Sequence, residues 1–164
     1  IGKEYAGWPG EKWLDIRRID LLGPVLQKRF DLAKEKGCDA IEPDNIDGFG
    51  AITGFSLTYN DQRIFNTWIA EQAHQRGMSI GLKNDPEHVR DLLPFFDWAL
   101  TEDCHAQGWC EQMTSFVSVG KAVFQTEYTD TGVKFEDVCL AAKKRGFRAL
   151  LKHRNLDAWI QQCV

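Results

Sequence analysis

The chain has 164 residues, 43% hydrophobic and 27% charged, which is enough apolar material to bury a core. Its net charge of −4 comes from 20 basic and 24 acidic residues with no basic block, so a nucleic-acid partner is set aside. No apolar run approaches the roughly 18 residues of a membrane span, and no membrane partner is expected.

The chain opens with Ile1-Gly2-Lys3, without a methionine or the apolar core of a signal peptide, and so reads as the start of a fragment or of a processed chain. Residues 1–12 form a loop broken by Gly7, Pro9 and Gly10. Trp13-Leu14-Asp15-Ile16-Arg17 alternates and predicts a strand. Leu21 to Lys36 carries Leu22, Val25, Leu26, Phe30 and Ala33 at helical spacing, with Pro24 in its first turn and Gly37 as its stop. A strand over 38–43 follows. Its side chains alternate, so Ala40, Glu42 and Asp44 share one face while Ile41 and Pro43 take the other. Pro43 cannot donate to a ladder, which places Asp44-Asn45 on the strand's carboxyl lip. After a loop from Asp47 to Leu57, Thr58 caps a helix of about eighteen residues that uses Ile64, Trp68, Ile69 and Ala73 and ends at Gly77.

The unit then repeats. Strands are expected over 78–83, 97–101, 121–127 and 147–151, separated by helices from Pro86 to Phe95, around Glu111 to Val119, and from Phe135 to Arg145. The tail keeps Leu156 and Trp159 as apolar anchors. Alternation of this kind argues for a parallel α/β sheet with helical crossovers. There is no GxGxxG and no GxxxxGK[ST], so no dinucleotide or P-loop cofactor is implied. Polar residues close nearly every predicted strand, which suits a (β/α)8 TIM-type barrel better than a doubly wound sheet. Such a barrel has eight strands and about 250 residues, and about six of its βα units are legible here.

Five cysteines are present. Cys104 and Cys110 bracket a short polar loop and are expected to form a disulfide rather than half of a metal site, since no CxxC or HxxxH supplies further ligands. Cys139 with Cys163 is a second, weaker pairing, and Cys38 reads as a free core thiol. No metal is expected.

Among the carboxylates, Asp44 and Glu102 form the pair best placed for catalysis. With two strands missing at the front they fall on strands four and six and face each other across a barrel mouth. Two opposed carboxyl groups are what glycoside hydrolysis needs, one to protonate the leaving oxygen and one to attack the anomeric carbon or activate water. Glu42 and Asp103 supply neighbouring charge, and Lys83 is placed to hold its neighbour ionised.

Several ordered runs resemble the central part of glycoside hydrolase family 114. They are Trp8-Pro9-Gly10-Glu11 with Trp13 to Arg17, then Gly37-Cys38-Asp39 with Glu42-Pro43-Asp44-Asn45 and Asp47-Gly48. Gly81 to Asp85 follows, as does Phe96 to Leu100 with Glu102 and Cys104 after it. Gly120 to Phe124 with Glu127-Tyr128, and the closing Asp157-Ala158-Trp159, extend the resemblance over nearly the whole chain. It implies an endo-acting α-1,4-polygalactosaminidase on a (β/α)8 barrel, secreted, with residues 1–164 supplying strands 3–8. Two βα units precede the WPGE segment in the family, which points to a missing N-terminal segment or a second chain completing the barrel. By the same resemblance Asp44 and Glu102 are the catalytic pair; between a retaining and an inverting reaction, retention is preferred, with Asp44 as nucleophile and Glu102 as acid/base.

Substrate contact is assigned to Asp15, Arg17, Glu42, Asn45, Asp47, Lys83, Asn84, Glu127, Tyr128 and Lys152, with Glu127 the next catalytic candidate after Glu102. An acidic cleft attracts a cationic galactosamine polymer. Trp8, Trp109 and Tyr128 could stack on sugar rings, whereas Trp13, Trp68 and Trp98 are expected in the core. The histidines form no cluster and are expected to face solvent, with His153 nearest the site. The alternative reading is a non-catalytic carbohydrate-binding or structural remnant of the same barrel.

Overall fold

A strand of five residues, Ser79–Lys83 (β2), joins two patterns of pairing in the computed structural model, which describes residues 1–163. Its first residues pair in parallel with β1, Ala40–Ile41, in the register Ala40↔Ser79 and Ile41↔Ile80. Its last three pair in parallel with β3, Trp98–Glu102. From there β3 pairs with β4, Val123–Tyr128, and β4 with β5, Arg148–Lys152, again in parallel. A short β6, Ile160–Gln162, runs antiparallel to β5. By internal contacts the chain divides into two compact units, Ile1–Ile80 and the residues from Gly81 onward.

In the first unit, helix α1 spans Ile19–Glu35 and helix α2 spans Tyr59–His74. α1 starts earlier than its apolar spacing predicts, so Pro24 lies inside the helix rather than in its first turn. It ends as expected at Gly37, whose φ of +80° allows Cys38 N–H to reach back to the Ala33 carbonyl at 3.0 Å. α2 opens on a full capping box: Thr58 accepts from Asp61 N–H at 3.1 Å, and the Asp61 carboxylate accepts from Thr58 N–H at 2.8 Å. Leu22, Leu26 and Phe30 of α1 line an open apolar groove of about 780 Å³, together with Trp13, Ile41 and Phe65. Leu21, Val25 and Leu32 form a second stripe on α1, and it is exposed.

Further expectations fail in this unit. Residues 13–17 do not form a strand. The backbone of Trp13 is taken up by the N-terminal loop (Gly2 N–H to Trp13 O, 2.7 Å; Trp13 N–H to Lys3 O, 3.0 Å), beside an isolated antiparallel bridge of Glu4 with Lys12. The chain then turns, with Arg18 N–H bonded to the Asp15 carbonyl at 3.0 Å. The alternation was real, but a local turn consumed it. Cys38 is free as expected yet exposed, because pairing begins only at Ala40.

In the second unit the helices are short: α3 is Val89–Leu92, α4 Cys104–Gln107, α5 Thr114–Ser118 and α6 Phe135–Arg145. The core gathers Leu82, Leu92, Phe96, Met113, Phe116 and Val138, all fully buried. Gly81 sits opposite Trp98 in the ladder, and a Cβ there would meet the indole at 2.3 Å, so glycine is what lets this ring lie across the strand. Trp98 is thereby half-buried, as are Trp13 and Trp68, rather than enclosed in a core. Both expected disulfides are present, Cys104–Cys110 and Cys139–Cys163. Strands 38–43, 78–83, 97–101, 121–127 and 147–151 appear close to their expected places, while β6 and α4 were not foreseen.

Candidate active site

The strand-end side chains of the second unit divide by face, although Tyr128 on the half-open face is itself buried. In a parallel ladder, residues in register point the same way and alternate along the strand. Lys83, Glu102, Tyr128 and Lys152 belong to the half-open face, whereas Thr101, Gln125, Glu127 and Leu151 belong to the buried one. Of the second-unit residues expected to touch substrate, Glu127 is the one on the buried face.

Glu102 closes β3 with its carboxyl group gripped by groups from two neighbouring strand ends. Oε1 accepts from the Tyr128 hydroxyl at 2.5 Å. Oε2 lies 3.2 Å from the Lys83 ammonium and 3.4 Å from the Asn84 amide nitrogen. The Asn84 side-chain oxygen in turn accepts the Glu102 backbone N–H at 2.8 Å. Asn84 and Asp85 both adopt left-handed backbone, φ +55° and +52°, which swings the chain off β2 so that Asn84 reaches across to β3. Asp103, directly after Glu102, is also left-handed at +56°.

Tyr128 is 3% exposed. Burial pushes its hydroxyl well above the usual phenol range, and the hydrogen bond to Glu102 adds to that, so it stays a donor. The Arg154 guanidinium lies 4.0 Å from the Tyr128 ring centroid and donates to Asp103 at 2.7 Å and to Asp130 at 2.9 and 2.8 Å. Arg154 was not foreseen. A basic residue two places past a strand is visible in the sequence, but nothing there says which ring and carboxylates it will meet.

Glu127 has no exposed surface. Its carboxylate accepts the backbone N–H groups of His105 (2.8 Å) and Ala106 (3.1 Å) and the Gln125 amide (2.9 Å). It therefore ties the start of α4 to β4, and its geometry is that of a structural anchor. Near it, Cys104, Cys110 and Glu127 bring ligand-type atoms within 4.8 Å, but the two sulfurs are bonded to each other and the carboxylate is occupied, so this is no metal site. His88 likewise departs from expectation. It is fully buried, with Nδ1 2.6 Å from Asp85 Oδ1, because the left-handed turn at Asn84-Asp85 directs the following residues inward.

At the carboxyl end of β5 the Lys152 ammonium donates to the Asp157 carbonyl at 2.5 Å, and His153 stacks on Trp159.

In the first unit, Ala40, Glu42 and Asp44 are all exposed, as their shared face requires. Asp44 Oδ1 accepts the N–H of Asn45, at 2.9 Å, and Asn45 is left-handed at φ +56°. The segment just beyond is held from α2. Asn66 donates to the Ile46 carbonyl at 2.8 Å and accepts from Gln62 at 2.9 Å, both side chains buried. Gly48 follows Asp47 and lies under Trp13, whose ring would be 2.8 Å from any Cβ there. Glu42, Asp44 and Asn45 border the apolar groove. Asp15 and Arg17 instead form a fork with each other (2.8 Å twice), and the guanidinium holds the Asp15 carboxyl below the usual range. Among the described residues, no helix is long and apolar enough to cross a membrane.

Comparison with known proteins gives this geometry its context. The profile of glycoside-hydrolase family GH114 matches residues 1–164. The crystal structure of Ega3 from Aspergillus fumigatus in complex with galactosamine superposes with a TM-score of 0.91 at 33% identity, over 99% of this chain and 68% of that one. The glycoside hydrolase domain of PelA from Pseudomonas aeruginosa matches with a TM-score of 0.64 at 12% identity, over 96% of this chain and 71% of that one. That likeness shows the fold alone. No curated protein matches the sequence.

Proposed function

On the premise that the chain belongs to glycoside-hydrolase family GH114 and has an α/β fold of the TIM-barrel type, we propose that it is an endo-acting hydrolase of α-1,4-linked galactosamine polymers. The observation that carries this reading is Glu102, a strand-end carboxyl group fixed by Tyr128, Lys83 and Asn84 on the half-open face. Ega3, 33% identical, is described in complex with galactosamine, which supports an amino sugar as ligand. That sugar carries an ammonium at neutral pH, and exposed Glu42 and Asp44 would attract it.

The proposed reaction uses Asp44 and Glu102. Glu102 protonates the glycosidic oxygen as the bond to the anomeric carbon breaks, while an Asp44 oxygen forms the new bond to that carbon. Water then enters, giving its proton to Glu102 as the Asp44 ester is released. Lys83, Asn84 and Tyr128 orient Glu102 without touching the reacting carbon. Glu42, Asn45, Asp47, Asp15, Arg17 and Lys152 are assigned to substrate contact or to shaping the lip. Glu127 is assigned to anchoring α4, since its oxygens are already occupied.

The exposed stripe of α1 and the apolar groove beneath it are proposed to be covered by a further segment or a second chain that completes the barrel. Two disulfides suit an oxidising compartment, and secretion is part of the proposal.

The test is cleavage of polygalactosamine by the native protein and by Asp44→Asn and Glu102→Gln, with the anomer of the first product followed by NMR. Loss of about a thousand-fold or more in turnover with binding retained is expected from each. Retention of configuration is expected from a nucleophilic Asp44. Binding of the polymer without turnover by the unsubstituted native protein would favour the carbohydrate-binding alternative.

A further inference from the structure

Beyond β5 the chain makes a turn that locks itself around one tryptophan. Asp157 Oδ1 accepts the Trp159 backbone N–H at 3.0 Å, and Oδ2 lies 2.9 Å from His153 Nδ1. The imidazole stacks on the indole with centroids 4.3 Å apart and planes 8° from parallel. At the next residue β6 begins, pinned by antiparallel pairing to β5 and by the Cys139–Cys163 disulfide. Trp159 is nevertheless 39% exposed, although His153 covers one face of its ring. The exposed surface therefore lies away from the face that His153 covers. An aromatic surface held this way loses little freedom when something stacks on it.

The same segment borders the Glu102 cluster. Arg154, the residue after His153, reaches Asp103 and lies over the Tyr128 ring, whose hydroxyl bonds Glu102. Because β3, β4 and β5 are parallel, Glu102 and the start of this turn sit at the same end of the sheet. A partly exposed indole, backed by His153, therefore lies at the same end of the sheet as Glu102.

We propose that the outer face of Trp159 is a sugar-stacking subsite for one galactosamine unit of the polymer. The inference rests on the polygalactosamine reading above. The apolar C–H face of a pyranose covers an indole well, and an ammonium substituent gains attraction to the ring quadrupole, for which indole is the best of the aromatic side chains. His153 backs the ring and keeps it from turning away, so it is a positioning residue here.

Calorimetric titration of the full chain with an α-1,4-galactosamine hexamer tests this. Trp159→Ala is expected to weaken binding about ten-fold, and Trp159→Phe, which keeps a ring, to stay within about three-fold of the unsubstituted chain. Circular dichroism checks that both variants keep the fold. In the unsubstituted chain, the indole N–H resonance of Trp159 is expected to shift on adding the hexamer. Unchanged affinity in Trp159→Ala overturns the subsite and leaves the polymer reading standing, as does an unmoved indole resonance when the hexamer binds. Absence of hexamer binding by the unsubstituted chain overturns both.

Discussion

Glu102 and Glu127 are glutamates at the carboxyl ends of adjacent parallel strands, and the sequence offers both for the same work. The sheet separates them by face. Glu102 lies on the half-open side, where its oxygens meet a hydroxyl, an ammonium and an amide that are all side-chain groups. Glu127 lies on the covered side, where two of its three donors are backbone N–H groups of one helix start. A side-chain shell can rearrange around a substrate, whereas a backbone shell cannot without unfolding the turn it belongs to. The difference teaches that strand-end chemistry is assigned by face before it is assigned by residue type.

The most forceful way to break that contrast is to disable each carboxylate in turn. Glu102→Gln is expected to cost about a thousand-fold or more in turnover and to move the melting temperature little. Glu127→Ala leaves two backbone N–H groups at the start of α4 and the buried Gln125 amide without their acceptor. It is expected to cost about 3 kcal/mol of stability, or roughly 6–12 °C in melting temperature for a chain of this size. Should Glu127→Ala melt normally but fail in catalysis, the two roles are reversed.

The strands between 38 and 152 could be read from apolar runs that start just after glycine stops, because those glycines hold positive φ at helix ends, as Gly37 and Gly146 do. What the sequence could not supply was facing. A period of two sorts Gln125 and Glu127 from Thr126 and Tyr128 but does not say which set shares the face of Glu102, and that depends on a ladder register with β3. The segment 13–17 misled for a related reason. Asp15 and Arg17 stand two apart, as on one strand face, yet the same spacing closes a forked turn. His88 follows Pro86-Glu87 and looks solvated until the left-handed pair Asn84-Asp85 carries it into the core. The end of β1 was legible only roughly, since pairing stops at Ile41, two residues before Pro43. The role of Arg154 was not legible, since its partners lie 24 to 51 residues away.

A smaller effect probes the half-open face from within. Tyr128→Phe deletes the hydroxyl that holds Glu102 Oε1 and keeps the ring under Arg154. A hydrogen bond to a charged group is worth about 1.5–3 kcal/mol, so turnover is expected to fall roughly ten- to a hundred-fold, with the fold intact. An effect as large as that of Glu102→Gln would make Tyr128 a catalytic group in its own right.

The smallest expected effect lies in the outer layer of the same face, at Asp130. Its hydrogen bonds from Arg154 hold the carboxyl below the usual carboxylate range, and the pair helps keep the guanidinium over Tyr128. The group is exposed, so solvent screens the pair and Asp130→Asn is expected to lower turnover by no more than about three-fold at pH 7. The sign with pH follows from the lowered value. Asp130 supports the folded arrangement fully above the unfolded carboxylate pKa of about 4, and that support is lost as pH falls through its folded value. The ratio of variant to unsubstituted rates should therefore be flat from neutrality down to about pH 5 and climb toward one below the ordinary carboxylate range, even while both rates fall for other reasons. Taking the ratio cancels whatever pH dependence the two proteins share. A ratio that stays constant into acid would show that Arg154 keeps its place over Tyr128 without Asp130, leaving Asp103 as the carboxylate that holds it.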